Sequence, residues 1–304
     1  MLKNIKTATF VISSNTYPAV RNMRMQKKLF ADQLSGNREF YWYRQGTEKQ
    51  LLGKESNLIG NDLFLNINDD TLNMGKKTIM AFDWALKNIE FDFLIRPTPS
   101  SYVNYSNLEN YIRTNFLDMD IVYGGKIQET NNKFGQKIQF ASGSTLVLSK
   151  KCIEIIIENH NDWDHDYWDD VGLAVLLDKV GIKPSGGDRF DVKGNPYKQV
   201  IDLQQYQYRC RSDNHYGYPR IIEAHVMSAV HSLFNMGKFG KIKMFLASSA
   251  IEFLKILYIY QFGWKLFTFL RGIIKFFLPK VFYKYLKGLF NKKIESFKHK
   301  RFKT

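Results

Sequence analysis

Through residue 180, stretches whose apolar residues have the spacing typical of strands alternate with stretches whose apolar residues have the spacing typical of helices. Short runs rich in β-branched and aromatic residues, such as TATFVIS (residues 7–13) and FDFLIR (91–96), predict buried strands. Longer segments with apolar residues at helical spacing, such as NMGKKTIMAFDWALKN (73–88), predict amphipathic helices. Further strands are predicted at residues 39–43, 62–66 and 121–123, a hairpin at 140–148, and further helices at 19–34, 108–116, 150–159 and 171–180. This alternation predicts an α/β domain built on an open sheet, with functional groups just beyond the strand ends.

The charge of the chain is unevenly distributed. The 304 residues carry a net charge of +15, yet residues 238–304 hold 16 Lys and Arg against two acids, so residues 1–237 are nearly neutral. We therefore predict a folded domain at residues 1–237 and a basic tail at 238–304. An apolar content of 44% argues against a disordered chain. Two cysteines, Cys152 and Cys210, are too few for a disulfide framework and favour a reducing compartment.

The tail combines 17 aromatic residues with basic residues on narrow faces of predicted helices. A broad apolar face with a cationic rim is typical of helices lying in a membrane interface. The longest uncharged stretch, residues 256–264, is about half of the roughly 20 residues that a spanning helix needs. With no signal peptide expected, we predict amphipathic C-terminal helices on an anionic membrane surface at the cytoplasmic face. Packing of these helices on residues 1–237 and oligomerisation are alternatives, whereas interleaved Lys and Phe argue against a nucleic-acid partner.

Three stretches carry the functional argument: FDFLIRPTPSSYVN (residues 91–104), FASGSTLVLSKKCIEII (140–156) and YWDDVGLAVLLDKVGI (167–182). In order and spacing they resemble GT-A glycosyltransferases of the Fringe and β-1,3-galactosyltransferase type, over roughly residues 5–235. In that family a strand ends in Lys/Arg-Thr-Asp-Asp-Asp-x-Phe-x-Asn, a later segment reads Ala-x-Gly-x-x-x-x-x-Ser, and Glu/Asp-Asp-Val/Thr opens a helix. The resemblance implies a GT-A-like open mixed sheet flanked by helices, a nucleotide-sugar donor and an inverting transfer.

The first motif departs from the family pattern at its acidic positions. Arg96 occupies the basic position, but Thr98, Pro99 and Ser100 stand where the family has its metal-binding aspartates. Mg²⁺ and Mn²⁺ prefer carboxylate oxygens, which this run does not supply. Two interpretations stay open: a metal-independent transferase that needs no cofactor, or a non-catalytic sugar- or lipid-binding module that retains the fold.

The resemblance and the residue types together predict a set of site residues. Asp170, and next Asp169, matches the motif of the base that takes the acceptor proton, although adjacent carboxylates before a helix also serve as caps. Arg209, Arg211 and Arg220 are candidates to stabilise the leaving diphosphate, with ordinary surface basics as the alternative. The other donor-binding candidates are Ser13, Ser14, Asn15, Thr16, Arg21, Arg96, Thr98 and Ser100. The acceptor-binding candidates are Trp163, Trp168 and Gly143, where core packing explains the tryptophans equally well.

The sequence therefore predicts a hexosyltransferase-type enzyme of polysaccharide biosynthesis. Its substrates would be a nucleotide sugar and a glycan or lipid-linked acceptor at a membrane surface. The acidic loop with Asp162, Asp164 and Asp166 lacks the glycine and glutamate of a Ca²⁺ loop, so a solvated loop is the favoured interpretation over a phosphohydrolase metal site.

Overall fold

The computed structural model describes residues 4–34, 36–131, 134–212, 220–235, 245–246 and 248–253. The predicted tail helices lie almost wholly outside these residues, and the predicted boundary after residue 237 stays a prediction. Within the described residues, no helix is long and apolar enough to cross a membrane.

Through residue 235, the described chain folds into twelve strands and seven α-helices. The strands are β1 (Thr7–Ile12), β2 (Arg38–Gln45), β3 (Ser56–Ile59), β4 (Asp62–Leu65), β5 (Phe93–Pro97), β6 (Ser101–Val103), β7 (Tyr123–Gly124), β8 (Ile127–Asn131), β9 (Lys137–Ala141), β10 (Thr145–Ser149), β11 (Phe190–Asp191) and β12 (Gln207–Arg209). The helices are α1 (Ala19–Ala31), α2 (Glu48–Leu51), α3 (Met74–Asn88), α4 (Tyr105–Asn115), α5 (Lys150–Glu158), α6 (Asp169–Lys179) and α7 (Glu223–Phe234).

Seven of these strands form a mixed sheet in the order β3-β4-β2-β1-β5-β10-β7. β4, β2, β1 and β5 run parallel, whereas β3 pairs antiparallel with β4, and β10 pairs antiparallel with both β5 and β7. All six residues of β1 are buried, as expected for a central strand covered on both faces. Two smaller sheets, β11-β12-β6 and β8-β9, complete the strands.

Helices cover both faces of the main sheet. On one face, Phe10 belongs to a core cluster with Phe82 of α3, Ile153 of α5 and Leu173 of α6. Successive residues of a strand point to opposite faces, so Thr9 faces the other layer, where its hydroxyl lies 2.9 Å from the Tyr105 hydroxyl of α4. The open α/β sheet flanked by helices that the sequence predicts is thereby confirmed.

The predicted hairpin at residues 140–148 is wrong. β9 pairs with β8 in a separate two-stranded sheet, whereas β10 enters the main sheet between β5 and β7. The short connection at residues 142–144 therefore carries the chain from one sheet to another. Pattern alone does not distinguish this arrangement from a hairpin, because both give two apolar runs separated by a glycine-containing turn.

Candidate active site

A cleft of about 720 Å³ opens at the edge of the main sheet where β1 and β5 end. These strands are parallel, so the segments that follow them, residues 13–18 and 98–100, meet at the same edge. β10 runs antiparallel to β5, with Thr145 opposite Pro97, so the segment before β10 arrives there as well. The first turn of α6 closes one side of the cleft. Segments far apart in the sequence thus come together at one place.

Most of the site residues predicted from the sequence border this cleft. They are Ser13, Ser14, Thr16, Arg96, Thr98, Ser100, Gly143, Trp168, Asp169, Asp170, Arg209, Arg211 and Arg220. Asn15, Arg21 and Trp163 are not among the lining residues, and each has another visible role. The functional roles of all these residues stay predictions.

Asn15 and Arg21 fasten the segment after β1 to its surroundings. The Asn15 backbone N–H donates to Asp69 Oδ2 at 2.9 Å, and its side-chain amide donates to the Gln45 carbonyl at 3.0 Å. The Arg21 guanidinium lies 2.7 Å from Nε2 of His225 on α7. Burial and the Arg21 charge lower the pKa of His225, which favours a neutral imidazole that accepts this bond.

The two tryptophans predicted to bind the acceptor occupy different environments. Trp163 is 4% exposed and is wedged between α3 and α6, where a Cβ added at Gly75 or Gly172 would lie 2.7 Å from its indole nitrogen. Both helices approach the ring closely because these positions lack side chains. Trp168 is 64% exposed at the rim of the cleft, directly before Asp169. Of the two, Trp168 is the one available to a ligand in the cleft.

Asp169 and Asp170 begin α6, but their side chains have different partners. Asp169 Oδ2 forms an ion pair with the Arg96 guanidinium, and the Asp169 side chain is 13% exposed. Asp170 Oδ2 accepts the Gly143 backbone N–H at 2.8 Å, and its Oδ1 accepts the Val171 N–H at 3.0 Å. Burial and the neighbouring Asp169 charge raise the pKa of Asp170, and these N–H groups and Arg96 oppose the rise only in part. A raised pKa makes Asp170 the stronger proton acceptor, as a general base requires.

Arg96 is buried beneath the two carboxylates. Its Nε donates to the Tyr43 hydroxyl at 3.2 Å and its Nη1 to the Gly143 carbonyl at 3.1 Å, while its Nη2 contacts Asp169. Burial disfavours the charged guanidinium, but Asp169 and Tyr43 outweigh that cost and the pKa of Arg96 is raised. The arginine is therefore a permanent cation inside the fold.

The turn after β5 carries hydroxyls at Thr98 and Ser100, positions where the resemblance implies acidic residues. The Thr98 N–H donates to the Ser144 carbonyl at 3.0 Å, and Gln26 of α1 donates to the carbonyls of Thr98 and Ser101 at 2.9 and 2.8 Å. The turn is rigidly held but offers no carboxylate. Among the described residues, no three His, Cys, Asp or Glu side chains are placed to share a metal ion. Thr98, Pro99 and Ser100 do not fit the divalent cation that the family resemblance implies, because hydroxyls are poor substitutes for carboxylates.

Lys77 on α3 is a cleft residue that the sequence reasoning missed. Its ammonium group donates to the Ser13 carbonyl and to Asp69 Oδ1, both at 2.8 Å, and is almost completely buried. Burial lowers the pKa of Lys77. A signal was present in the sequence, because Lys77 falls on the same helix face as Ala81 and Ala85, and lysines are rarely buried without a partner.

The cleft is also bordered by a basic wall, which consists of Arg189, Arg209, Arg211 and Arg220. Arg189, which the sequence reasoning also missed, donates to the hydroxyls of Ser142 and Ser144 at 2.9 and 3.2 Å and to Asp191 at 2.9 Å. Arg209 lies 3.6 Å from the same Asp191 carboxylate. Arg220 pairs at 2.8 Å with the buried Glu223. Arg189 lies outside the three motif stretches, so these motifs could not predict its position at the cleft.

Comparisons with known proteins find one curated relative and several similar solved structures. No family model matches the chain. The mouse (Mus musculus) protein UDP-GalNAc:beta-1,3-N-acetylgalactosaminyltransferase 2 is 24% identical over 148 residues, which is 45% of this chain and 29% of the mouse protein. The matched segment thus spans less than a third of that relative's length.

Several solved glycosyltransferase structures are also similar. One, involved in glycosylation of the major capsid of PBCV-1, has 12% identity and a TM-score of 0.44, covering 73% of this chain and 99% of that chain. The galactosyltransferase LgtC, solved with donor and acceptor sugar analogs, has 11% identity and a TM-score of 0.42, covering 78% and 99%. GlyE of Streptococcus pneumoniae TIGR4 has 13% identity and a TM-score of 0.39, covering 82% and 62%. All three scores are below 0.5, so the fold rests on the strand order and pairing of the chain itself.

Proposed function

We propose that this protein is a glycosyltransferase that moves a sugar from a nucleotide-sugar donor to a glycan or lipid-linked acceptor, with inversion at the anomeric carbon. The observation that carries the proposal is the convergence on one cleft of the three motif segments around Arg96, Gly143 and Asp170. They are distant in sequence, and nothing in their local patterns requires them to meet. The glycosyltransferase relative that is 24% identical over 148 residues supports the same class.

Asp170 is the proposed catalytic base. Its carboxylate takes the proton of the acceptor hydroxyl as that oxygen bonds to the anomeric carbon. The bond from the anomeric carbon to the phosphate oxygen breaks, and the nucleoside diphosphate leaves with the electron pair. Each carboxylate oxygen accepts one backbone N–H and keeps a further lone pair for the proton.

The leaving diphosphate is the proposed ligand of the basic wall. Arg209, Arg211 and Arg220 border the cleft, and guanidinium groups bind phosphate oxygens in bidentate pairs. This positive charge is part of the chain itself, so we propose transfer without a divalent cation. Donor turnover that continues undiminished in EDTA is the expected result, and turnover abolished by EDTA and restored by Mn²⁺ would contradict it.

The acceptor is proposed to lie over Trp168. An exposed indole beside the catalytic carboxylates offers a flat apolar face to a sugar ring. The nucleotide would then occupy the opposite end of the cleft, on the segment from Ser13 to Thr16.

Release of UDP from a panel of UDP-sugars tests the enzymatic proposal, with UDP-GalNAc first because the mouse relative's name contains it. We expect turnover of at least one donor and its loss in Asp170→Asn, with UDP affinity retained. Asp83→Asn is the matched control, since Asp83 pairs with Lys87 on the surface of α3. Wild-type turnover in Asp170→Asn would move the base elsewhere.

A non-catalytic sugar- or lipid-binding module is the second candidate, favoured by the hydroxyl turn at Thr98 and Ser100. It predicts sugar or nucleotide binding without any nucleotide release. A single sensitive release assay therefore separates the two candidates.

We also propose that residues 238–304 hold the protein at the cytoplasmic face of a membrane. Their sequence alone supports this, through 16 basic residues and 17 aromatics. The full chain should float with vesicles containing anionic lipid and not with neutral vesicles. Equal binding to both would contradict the electrostatic part of the proposal.

A further inference from the structure

We propose that Arg96 is a positioning residue that holds Asp170 in its catalytic orientation and does not bind the donor. This inference rests on the proposed function and deepens it. It differs from the expectation drawn from the sequence, which placed Arg96 among the donor-binding residues.

Burial and bonding leave Arg96 little capacity for a ligand. The residue is 1% exposed, and each of its three guanidinium nitrogens already contacts a protein oxygen. These oxygens come from three separate elements: Tyr43 of β2, Gly143 before β10 and Asp169 of α6. These contacts use three of the five guanidinium N–H groups, and the side chain is only 2% exposed, so a donor phosphate would have little access to the other two.

The same contacts connect Arg96 to the proposed base. Gly143 accepts from Arg96 through its carbonyl and donates to Asp170 through its N–H, so a single residue links the cation to the carboxylate. Asp169, which forms the ion pair with Arg96, immediately precedes Asp170 in the chain. Arg96 therefore constrains Asp170 from two sides, once through Gly143 and once through the backbone of α6.

Gly143 permits this arrangement by its lack of a side chain. A Cβ at that position would lie 3.0 Å from Arg96 Nη1 and 3.1 Å from both Cβ and Oδ2 of Asp170. These distances are tighter than ordinary carbon contacts, so the guanidinium, the glycine and the carboxylate are packed against one another. A side chain at this position would therefore press on both the guanidinium and the carboxylate.

Arg96 also sets the charge around Asp170. The groups that act on Asp170 are Asp169 on the same helix, Arg96 on β5 and Tyr123 on β7, with Tyr43 and Lys77 acting on Asp169 and Arg96. The Asp169 charge raises the pKa of Asp170, and the Arg96 charge lowers it. Removing the Arg96 charge must therefore raise the pKa of Asp170 further, which moves the acid limb of the kcat profile to higher pH.

The experiment compares three substitutions in the full chain. Arg96→Lys keeps the charge but cannot reach all three partners, so kcat for the active UDP-sugar should fall at least tenfold while the Kd of UDP, measured by calorimetry, stays within about twofold. Arg96→Met removes the charge and should move the acid limb of the kcat profile to higher pH. If circular dichroism shows that Arg96→Met does not fold, Arg96→Gln is used as the neutral variant. Arg38→Lys is the control. Arg38 is not among the residues that border the cleft and forms an ion pair with Glu109 at 2.7 Å, so this variant should leave kcat unchanged.

The outcomes separate this inference from the proposed function. If the wild-type protein is active and Arg96→Lys keeps the wild-type kcat, the positioning role is overturned but the proposed function is not. A tenfold rise in the Kd of UDP would make Arg96 a donor ligand, and an unmoved acid limb in a folded neutral variant would reduce it to packing. Absence of turnover by the wild-type protein with every donor would overturn the proposed function and this role together.

Discussion

The adjacent carboxylates Asp169 and Asp170 should respond in opposite ways to the same substitution. Asp169→Asn removes the charge that pairs with the buried Arg96, whereas Asp170→Asn removes a carboxylate whose charge the fold already disfavours. The first is expected to harm stability most and the second activity most. Because the two residues share one helix turn, each variant serves as the control for the other.

The magnitudes follow from the contacts of each side chain. Removing one partner of a buried ion pair leaves an uncompensated charge, so Asp169→Asn should lower the free energy of unfolding by about 3 kcal/mol. In Asp170→Asn, one of two backbone N–H bonds is lost, which costs about 1 kcal/mol. Relief of burial and of repulsion from Asp169 opposes that cost, so the net change should be within about 1 kcal/mol. Loss of a general base should lower kcat about 10²- to 10⁴-fold.

Urea unfolding and UDP release measure the two effects separately. Both variants should unfold cooperatively, and UDP affinity in Asp170→Asn should match that of the wild type. The reasoning is refuted if Asp169→Asn is as stable as the wild type while Asp170→Asn loses about 3 kcal/mol. That result would mean that Arg96 is neutralised by Asp170 and that Asp169 is the freer carboxylate.

Four further outcomes follow from the same contacts. The pKa of Asp170 is raised in the folded protein, so the native state binds this proton more readily than the unfolded chain does. The free energy of unfolding should therefore fall as pH rises from the ordinary carboxyl pKa of about 4 through the pKa of the folded state. Unfolding curves measured across pH should lack this component in Asp170→Asn. Lys77→Met leaves the buried Asp69 carboxylate without its cationic partner and should cost about 3 kcal/mol in urea unfolding, whereas Lys87→Met on the exposed face of α3 should cost little. Trp168→Ala should raise the KM for the acceptor about fivefold with the Kd of UDP unchanged, and the reverse pattern would place the indole at the donor. Arg209→Met should weaken binding of UDP about tenfold but not of uridine, as calorimetry would show, because only UDP carries the phosphates.

The hydrophobic pattern was sufficient for the fold class and for most of the main elements. β1, α3 and α5 occur within a few residues of their predicted bounds, because apolar periods of two and 3.6 determine which face each element can bury. The short helix α2 and the strands β3, β6, β8, β11 and β12 were missed. These strands are only two to five residues long, and four of the five residues of β8 are exposed, so they give little periodic signal.

For the candidate site, the sequence by itself determined which residue types lie just after strands and before α6, since motifs are local and strand ends can be predicted. It predicted functional groups just beyond the strand ends, and Ser13, Thr98, Gly143 and Asp170 border one cleft, while their roles stay predictions. Only the tertiary structure decided which side chains face the cleft and which are bonded to other side chains of the protein. Arg96 turned out to be buried among three partners, Trp163 to be wedged between two helices, and Lys77 and Arg189 to reach the cleft. The physical reason is that burial and ion pairing depend on contacts between segments that are distant along the chain, and no local pattern records them.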